Sequence, residues 1–234
     1  MADDLEPTAP PGRPWSGGGR EELADAVRRL IAVTVTSHAS PEQIAEAAVR
    51  AGALADELER QVPAPGSPPM PRFSDRSVTP DNVATLASFM PFDVIAGSCN
   101  PLALPLTIEF EPPKAICRAV FTAPYEGAPG LVHGAVLAGT FDIVLTAANV
   151  VAGGPGPTVS LTIRYLKPTL IGIPSLFEGW VTSLDERRTY SRGHLIQDGV
   201  VTVEAEGEFV NMDRSKINTL HRRPGGDQPV ASGS

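Results

Sequence analysis

Hydrophobic spacing divides the 234-residue chain into two regions of different period. Between Arg20 and Val62 the apolar positions recur every three or four residues, which predicts two helices. The first spans about Arg20–Thr36. The second carries a start signal in "SPEQ": Ser40 as N-cap, Pro41 at the first helical position and Gln43 closing a capping box. Its apolar residues Ile44, Ala47, Ala48, Ala51, Leu54, Ala55, Leu58 and Val62 keep helical spacing. From about Pro80 the period changes. "PDNVATLASFM" predicts a short helix, and "LPLTIEF" and "KAICRAVFT" predict strands around an "EPP" turn. A long apolar segment, "GLVHGAVLAGTFDIVLTAANVVAGG" (Gly130–Gly154), predicts a helix over about Gly134–Ala152, ended by "GGPGP". Strands follow at "TVSLTIRYL", "SLFEGWVTSL", "TYSRGHLIQ" and "GVVTVEAEGEFVNM". In the last, Val201, Val203, Ala205, Gly207 and Phe209 share one face, while Thr202, Glu204, Glu206 and Glu208 share the other. The short turns after the central helix predict an antiparallel sheet. That helix lacks a broad polar face, so burial on all sides is expected, under a curved sheet and a second subunit.

The domain boundaries follow: residues 1–19 and 214–234 disordered, 20–62 a helical extension, 63–79 a Pro-rich linker ("PAPGSPPMP" at its start), and 80–213 an α+β body. A net charge of −8 and the lack of a Lys/Arg-rich run disfavour a nucleic-acid surface. Within residues 20–62 five arginines stand against eight acidic residues, a net −3, which is the wrong sign for phosphate backbone contact. Cys99 and Cys117 match no zinc or redox spacing and are expected to be buried, reduced thiols in a cytoplasmic protein. The N-terminus lacks the apolar core of a signal peptide. Residues 130–154 are long enough to span a membrane, but His, Asp, Asn and several Gly would be expensive in lipid. No metal or cofactor is expected.

Chemistry concentrates in the apolar segment. Asp142 interrupts it, and either caps a neighbouring element or serves as a general base, a role that burial would favour by raising its pKa. The start of the predicted helix offers unpaired amides at "VHG", which can hold an oxyanion, and Gly134 leaves the backbone open to close approach. Eight positions separate Gly134 from Asp142, roughly 12 Å along a helix, so both cannot touch one reacting carbonyl from a single helix. If both act on one substrate, they come from two subunits of a two-fold dimer.

These residues resemble the hotdog-fold acyl-CoA thioesterases of the PaaI-like branch, which also includes the THEM-type enzymes. The likeness covers about residues 80–213 and rests on "NPLAL", "YEGAPGLVHG", the helical Asp142, "PTVSLTIRYLKPT" and "DGVVTVEAEGEFV". It implies a central helix wrapped by a curved antiparallel sheet, assembly as a homodimer or tetramer, and hydrolysis of an acyl-CoA. Carried over by position, the Gly134 amide polarises the thioester carbonyl. Asp142 of the other subunit acts as base or nucleophile, and Thr158 helps to position water. His133 either takes part or orders the turn. Asn100, Ala135, Lys167 and Arg188 are the candidate substrate-binding residues. Two departures stand out: Ala135 replaces the third residue of His-Gly-Gly, and Gly127 replaces an Asn six residues before the histidine. The alternative is a non-catalytic acyl-CoA binder or sensor. A purely structural module would explain a dimer but not Asp142.

Overall fold

The computed structural model describes residues 19–64 and 86–211. The expected disorder of the termini and nearly all of the Pro-rich linker lie outside these residues. Eleven segments carry the described chain: α1 (Arg20–Thr36), α2 (Pro41–Glu59), α3 (Leu86–Phe89), β1 (Leu106–Glu111), β2 (Lys114–Val120), a 3-10 turn (Ala123–Tyr125), α4 (Gly134–Val151), β3 (Thr158–Tyr165), β4 (Pro174–Leu184), β5 (Arg188–Gln197) and β6 (Val200–Val210). The capping box of α2 forms as the sequence predicts. Ser40 Oγ accepts from the Gln43 amide at 3.3 Å, and Gln43 Oε1 accepts from the Ser40 amide at 2.9 Å. The helix stops at Glu59, short of Val62.

The six strands form one antiparallel sheet in the order β1-β2-β4-β5-β6-β3. This order departs from a simple run of hairpins. β3 pairs with β6 and becomes an edge, because residues 166–173 carry the chain across the end of the sheet to β4. That crossing is tied down by Leu166 and Lys167 amides donating to the Thr202 carbonyl, by Thr169 Oγ1 donating to Thr202 Oγ1 at 3.0 Å, and by a bridge between Leu131 and Leu170.

α4 lies on the concave face of the sheet. Alternation along the strands brings small residues beneath it: Ala115, Gly179, Gly193 and Ala205 are cross-strand neighbours on that face. A Cβ at Gly179 would lie 2.8 Å from Val144 Cγ1, so the helix sits closer than any side chain there would allow. Phe141 is fully buried and meets Phe177 edge-on at 5.1 Å; Phe177 in turn meets Phe121 at 6.2 Å. These aromatics fix the rotation of α4 about its own axis.

Within one copy of the chain the sheet does not bury α4 on all sides. Ala135, Ala138, Gly139, Asp142, Thr146 and Val150 form a stripe at helical spacing that the sheet leaves partly open. The stripe escapes a hydropathy reading because most of its members are small rather than polar. Segment 86–104 covers part of it: Leu86, Ala96 and Ala103 are buried, and Ile95 packs so close to Gly139 that a Cβ there would lie 2.7 Å from Ile95 Cδ1. α4 is long and apolar enough to cross a membrane, yet the sheet wraps half of it.

The helical extension docks through α1. Arg28 donates to the Asn100 carbonyl at 2.7 Å and to the Ser98 carbonyl at 3.2 Å, and Ser98 Oγ donates to Glu21 at 2.8 Å. α2 has no buried residue. Cys99 and Cys117 are free and buried, and burial pushes the Cys117 thiol up to about 12.

Candidate active site

The turn into α4 is built for a free amide. Gly130 takes a left-handed conformation (φ 77°), and its N–H donates to Glu126 Oε1 at 2.5 Å. The His133 amide donates to the Tyr125 carbonyl, and the Ile171 amide to the Gly130 carbonyl, so the turn is anchored on two sides. His133 is the N-cap of α4. Its Nδ1 accepts from the Ala135 amide at 3.0 Å, which requires the ring proton on Nε2. Val136 and Leu137 amides turn back to the His133 carbonyl. Among the described residues this leaves the Gly134 N–H as the helix-terminal donor with no acceptor. It sits at the positive end of the macrodipole, at an exposed turn.

The second half of the site lies two turns along the helix. Within one copy of the chain Asp142 is half-buried, because it belongs to the partly open stripe. Its Oδ1 accepts a hydrogen bond from Thr158 Oγ1 at 2.6 Å. A β-bulge makes this contact possible. Ser160 pairs with Glu208 on the convex face, so strict alternation would aim Thr158 the same way. The register shift between Thr158 and Ser160 instead sets Thr158 opposite Phe209, on the face that looks at α4. The carboxylate therefore has one oxygen held by a hydroxyl and the other left for a proton.

The structure brings His133, Gly134 and Ala135 together at one end of α4, and Asp142 with Thr158 further along it. Asn100, Lys167 and Arg188 do not converge on either group. Asn100 closes its own loop, donating to the Phe92 carbonyl and accepting from the Leu102 amide. Lys167 is exposed, and Arg188 pairs with Glu208 on the convex face at 3.1 Å. Gly127 backs onto the histidine: a Cβ there would lie 3.0 Å from His133 Cα and 3.1 Å from its Cδ2. Any side chain at this position would thus project beside the turn. Among the described residues no three His, Cys, Asp or Glu side chains cluster as metal ligands. A cleft of about 450 Å³, lined by Trp180, Arg192, His194 and their neighbours, lies on the convex face, away from α4.

One contact was not anticipated from the sequence. Tyr165, at the far end of β3, donates its hydroxyl to the Gly134 carbonyl at 2.8 Å. β3 thus touches both halves of the site, Asp142 through Thr158 at its start and Gly134 through Tyr165 at its end.

Residues 129–204 match the family model of the thioesterase superfamily, a stretch that includes His133, Gly134, Asp142, Thr158 and Tyr165. A crystallised thioesterase superfamily protein is similar at 28% identity and a TM-score of 0.69, over 86% of this chain and 97% of its own. Zebra fish thioesterase superfamily member 2 is similar in fold at 18% identity and a TM-score of 0.50, over 58% of this chain and 100% of its own. The PaaI protein of E. coli aligns at 17% identity and a TM-score of 0.44, over 47% of this chain and 81% of its own. No curated protein matches the chain in sequence. With an antiparallel sheet closed on one central helix, and the family match laid over that helix and the strands beside it, the chain has the hotdog fold and is similar over this stretch to the thioesterase superfamily.

Proposed function

We propose that the protein is an acyl-CoA thioesterase whose reaction centre forms between two copies of the chain. The observation that carries this reading is the division of labour on β3. Thr158 and Tyr165 stand at opposite ends of an eight-residue edge strand, one bound to Asp142 and the other to Gly134. Antiparallel pairing of this edge with its two-fold mate sets the Tyr165 end of one strand beside the Thr158 end of the other. The Gly134 amide of one subunit then faces the Asp142 carboxylate of the next, which a single helix cannot arrange across roughly 12 Å. The edge itself supports such pairing: Val159 and Tyr165 on β3, and Leu166 just beyond it, are exposed apolar side chains next to an unpaired strand backbone.

In this arrangement the thioester oxygen accepts from the Gly134 N–H, which stabilises the negative charge that grows there on attack. Water adds to the carbonyl carbon as the Asp142 carboxylate takes its proton through the oxygen that Thr158 leaves free. The tetrahedral intermediate collapses with cleavage of the C–S bond, and the thiolate of CoA leaves and takes up a proton. Acid and free CoA are the products.

A second reading, acyl-CoA binding without turnover, is favoured by Gly127, which contributes no polar group beside His133. One experiment separates the two. Purified protein is offered a panel of acyl-CoAs while free thiol is followed, for wild type and Asp142→Asn. The thioesterase reading expects thiol release by wild type and a loss of at least about 100-fold in the variant, in line with removal of a general base. Tight acyl-CoA binding by wild type with no thiol released establishes the binding protein instead.

A further inference from the structure

Gly134 poses a problem that its proposed role does not solve. A free amide is useful only if it points in one direction, and glycine is the residue whose backbone holds direction least well. The plane that carries this N–H is held through the His133 carbonyl, which accepts from the Val136 and Leu137 amides, and the next peptide plane, across the glycine's own torsions, is held as well. The plane between Gly134 and Ala135 is gripped at both ends: its N–H donates to His133 Nδ1 at 3.0 Å, and its carbonyl accepts from Tyr165 Oη at 2.8 Å. The glycine is required by the same contact. A Cβ at 134 would lie 3.0 Å from Tyr165 Oη and 3.2 Å from Cζ, so the ring rests on the space a side chain would occupy. Tyr165 is itself well anchored. It pairs with Val203 in register, and the two residues after it both donate their amides to the Thr202 carbonyl, at 2.9 and 3.0 Å. Yet the residue is 54% exposed, so core packing does not explain it.

We propose that Tyr165 is a positioning residue: its hydroxyl, together with the His133 cap, clamps the Gly134–Ala135 peptide and so restrains the Gly134 torsions that link this plane to the one carrying the unpaired Gly134 N–H. The inference rests on the thioesterase reading for its kinetic consequence but not for its structural one. Removing the hydroxyl leaves the cap and the helical bonds of the first turn intact and takes the side-chain donor from the Gly134 carbonyl. A donor that rocks by a few tenths of an ångström stabilises the ground state about as well as before, and the transition state less well.

The test is Tyr165→Phe, which keeps the ring and removes the one bond. With acyl-CoA as substrate, kcat falls about tenfold while KM stays within about twofold. Amide hydrogen exchange at Ala135, followed by NMR, accelerates about tenfold, while exchange in β5 and β6 is unchanged. A kcat within twofold of wild type, or a raised KM with kcat unchanged, overturns the positioning role, the latter making Tyr165 a substrate contact. Unchanged exchange at Ala135 also overturns it, whether or not the chain hydrolyses acyl-CoA. A wild type without turnover but with faster exchange in the variant removes the thioesterase reading and leaves the clamp.

Discussion

The same substitution, glycine to alanine, has opposite expected consequences at two points that face α4. At Gly193 a Cβ would lie 2.6 Å from the Glu178 carbonyl oxygen and 3.3 Å from both Leu145 Cδ2 and Phe141 Cε1. The first neighbour is backbone in the adjacent strand and cannot turn aside, so the strands or α4 must shift. Overpacking of this kind costs about 1–3 kcal/mol. For a chain of this size each kcal/mol lowers Tm by about 2–4 °C, so a cost of about 2 kcal/mol gives a fall of about 4–8 °C. At Gly134 the nearest atoms are Tyr165 Oη, Cζ and Cε1 at 3.0, 3.2 and 3.5 Å, the far end of a half-exposed ring that can swing outward. The added helix propensity, up to about 1 kcal/mol, offsets the displaced hydrogen bond. Stability at Gly134→Ala therefore stays within about 0.5 kcal/mol of wild type, while thiol release falls about tenfold because the clamp is pushed open. Thermal unfolding by circular dichroism, run beside the hydrolysis assay, reads both. A Gly193→Ala variant with unaltered Tm would refute the close approach of the β4 backbone to Gly193. An equal loss of Tm at the two sites would refute the distinction between rigid and yielding neighbours.

Thr158→Val keeps the shape of the side chain and removes the 2.6 Å bond to Asp142; thiol release should fall about tenfold with less than about 1 kcal/mol lost in urea unfolding, since the pair is partly exposed. Arg28→Ala removes the donors that hold α1 to the Ser98 and Asn100 carbonyls. Limited trypsinolysis should then release α1 and α2 from a sheet domain that stays folded, and unchanged resistance would refute the docking. Glu178 accepts from Lys114 at 2.7 Å and from His194 at 2.8 Å, and the Lys114 bond, first among several causes, holds its carboxyl below the usual range. A lowered folded-state pKa means that this stabilisation is present above the unfolded value of about 4.3 and fades as pH falls through the folded one. Glu178→Gln should therefore lose about 1 kcal/mol at pH 7, and the difference from wild type should shrink below about pH 4; a difference independent of pH would refute the ion pair.

Much of the molecule is written in local sequence. The capping box at Ser40 and Gln43, the limits of α4 and the alternation of β6 need only neighbours one to four residues away, and each appears at the expected place. So do the chemical groups: His133, Gly134, Asp142 and Thr158 are legible as residue types at telling positions, and the eight-residue interval between Gly134 and Asp142 already argues against one helix serving one substrate alone. Other features depend on contacts far apart in the chain. β3 lies beside β6 rather than β4 because residues 166–173 are captured by Leu131, Thr202 and Gln197, and no periodicity in β3 records that. The bulge that turns Thr158 toward Asp142 exists only in the pairing with β6. The open stripe on α4 exists only because the sheet covers the other faces, and Asp142 is half-buried for that reason. The grip of Tyr165 on Gly134 joins residues 31 apart. Secondary structure follows from short-range sterics and capping, and the residue types of the candidate site are there to read, so the sequence states both directly. The direction in which the candidate-site side chains point follows from strand order and register, which are set by the packing of the whole domain.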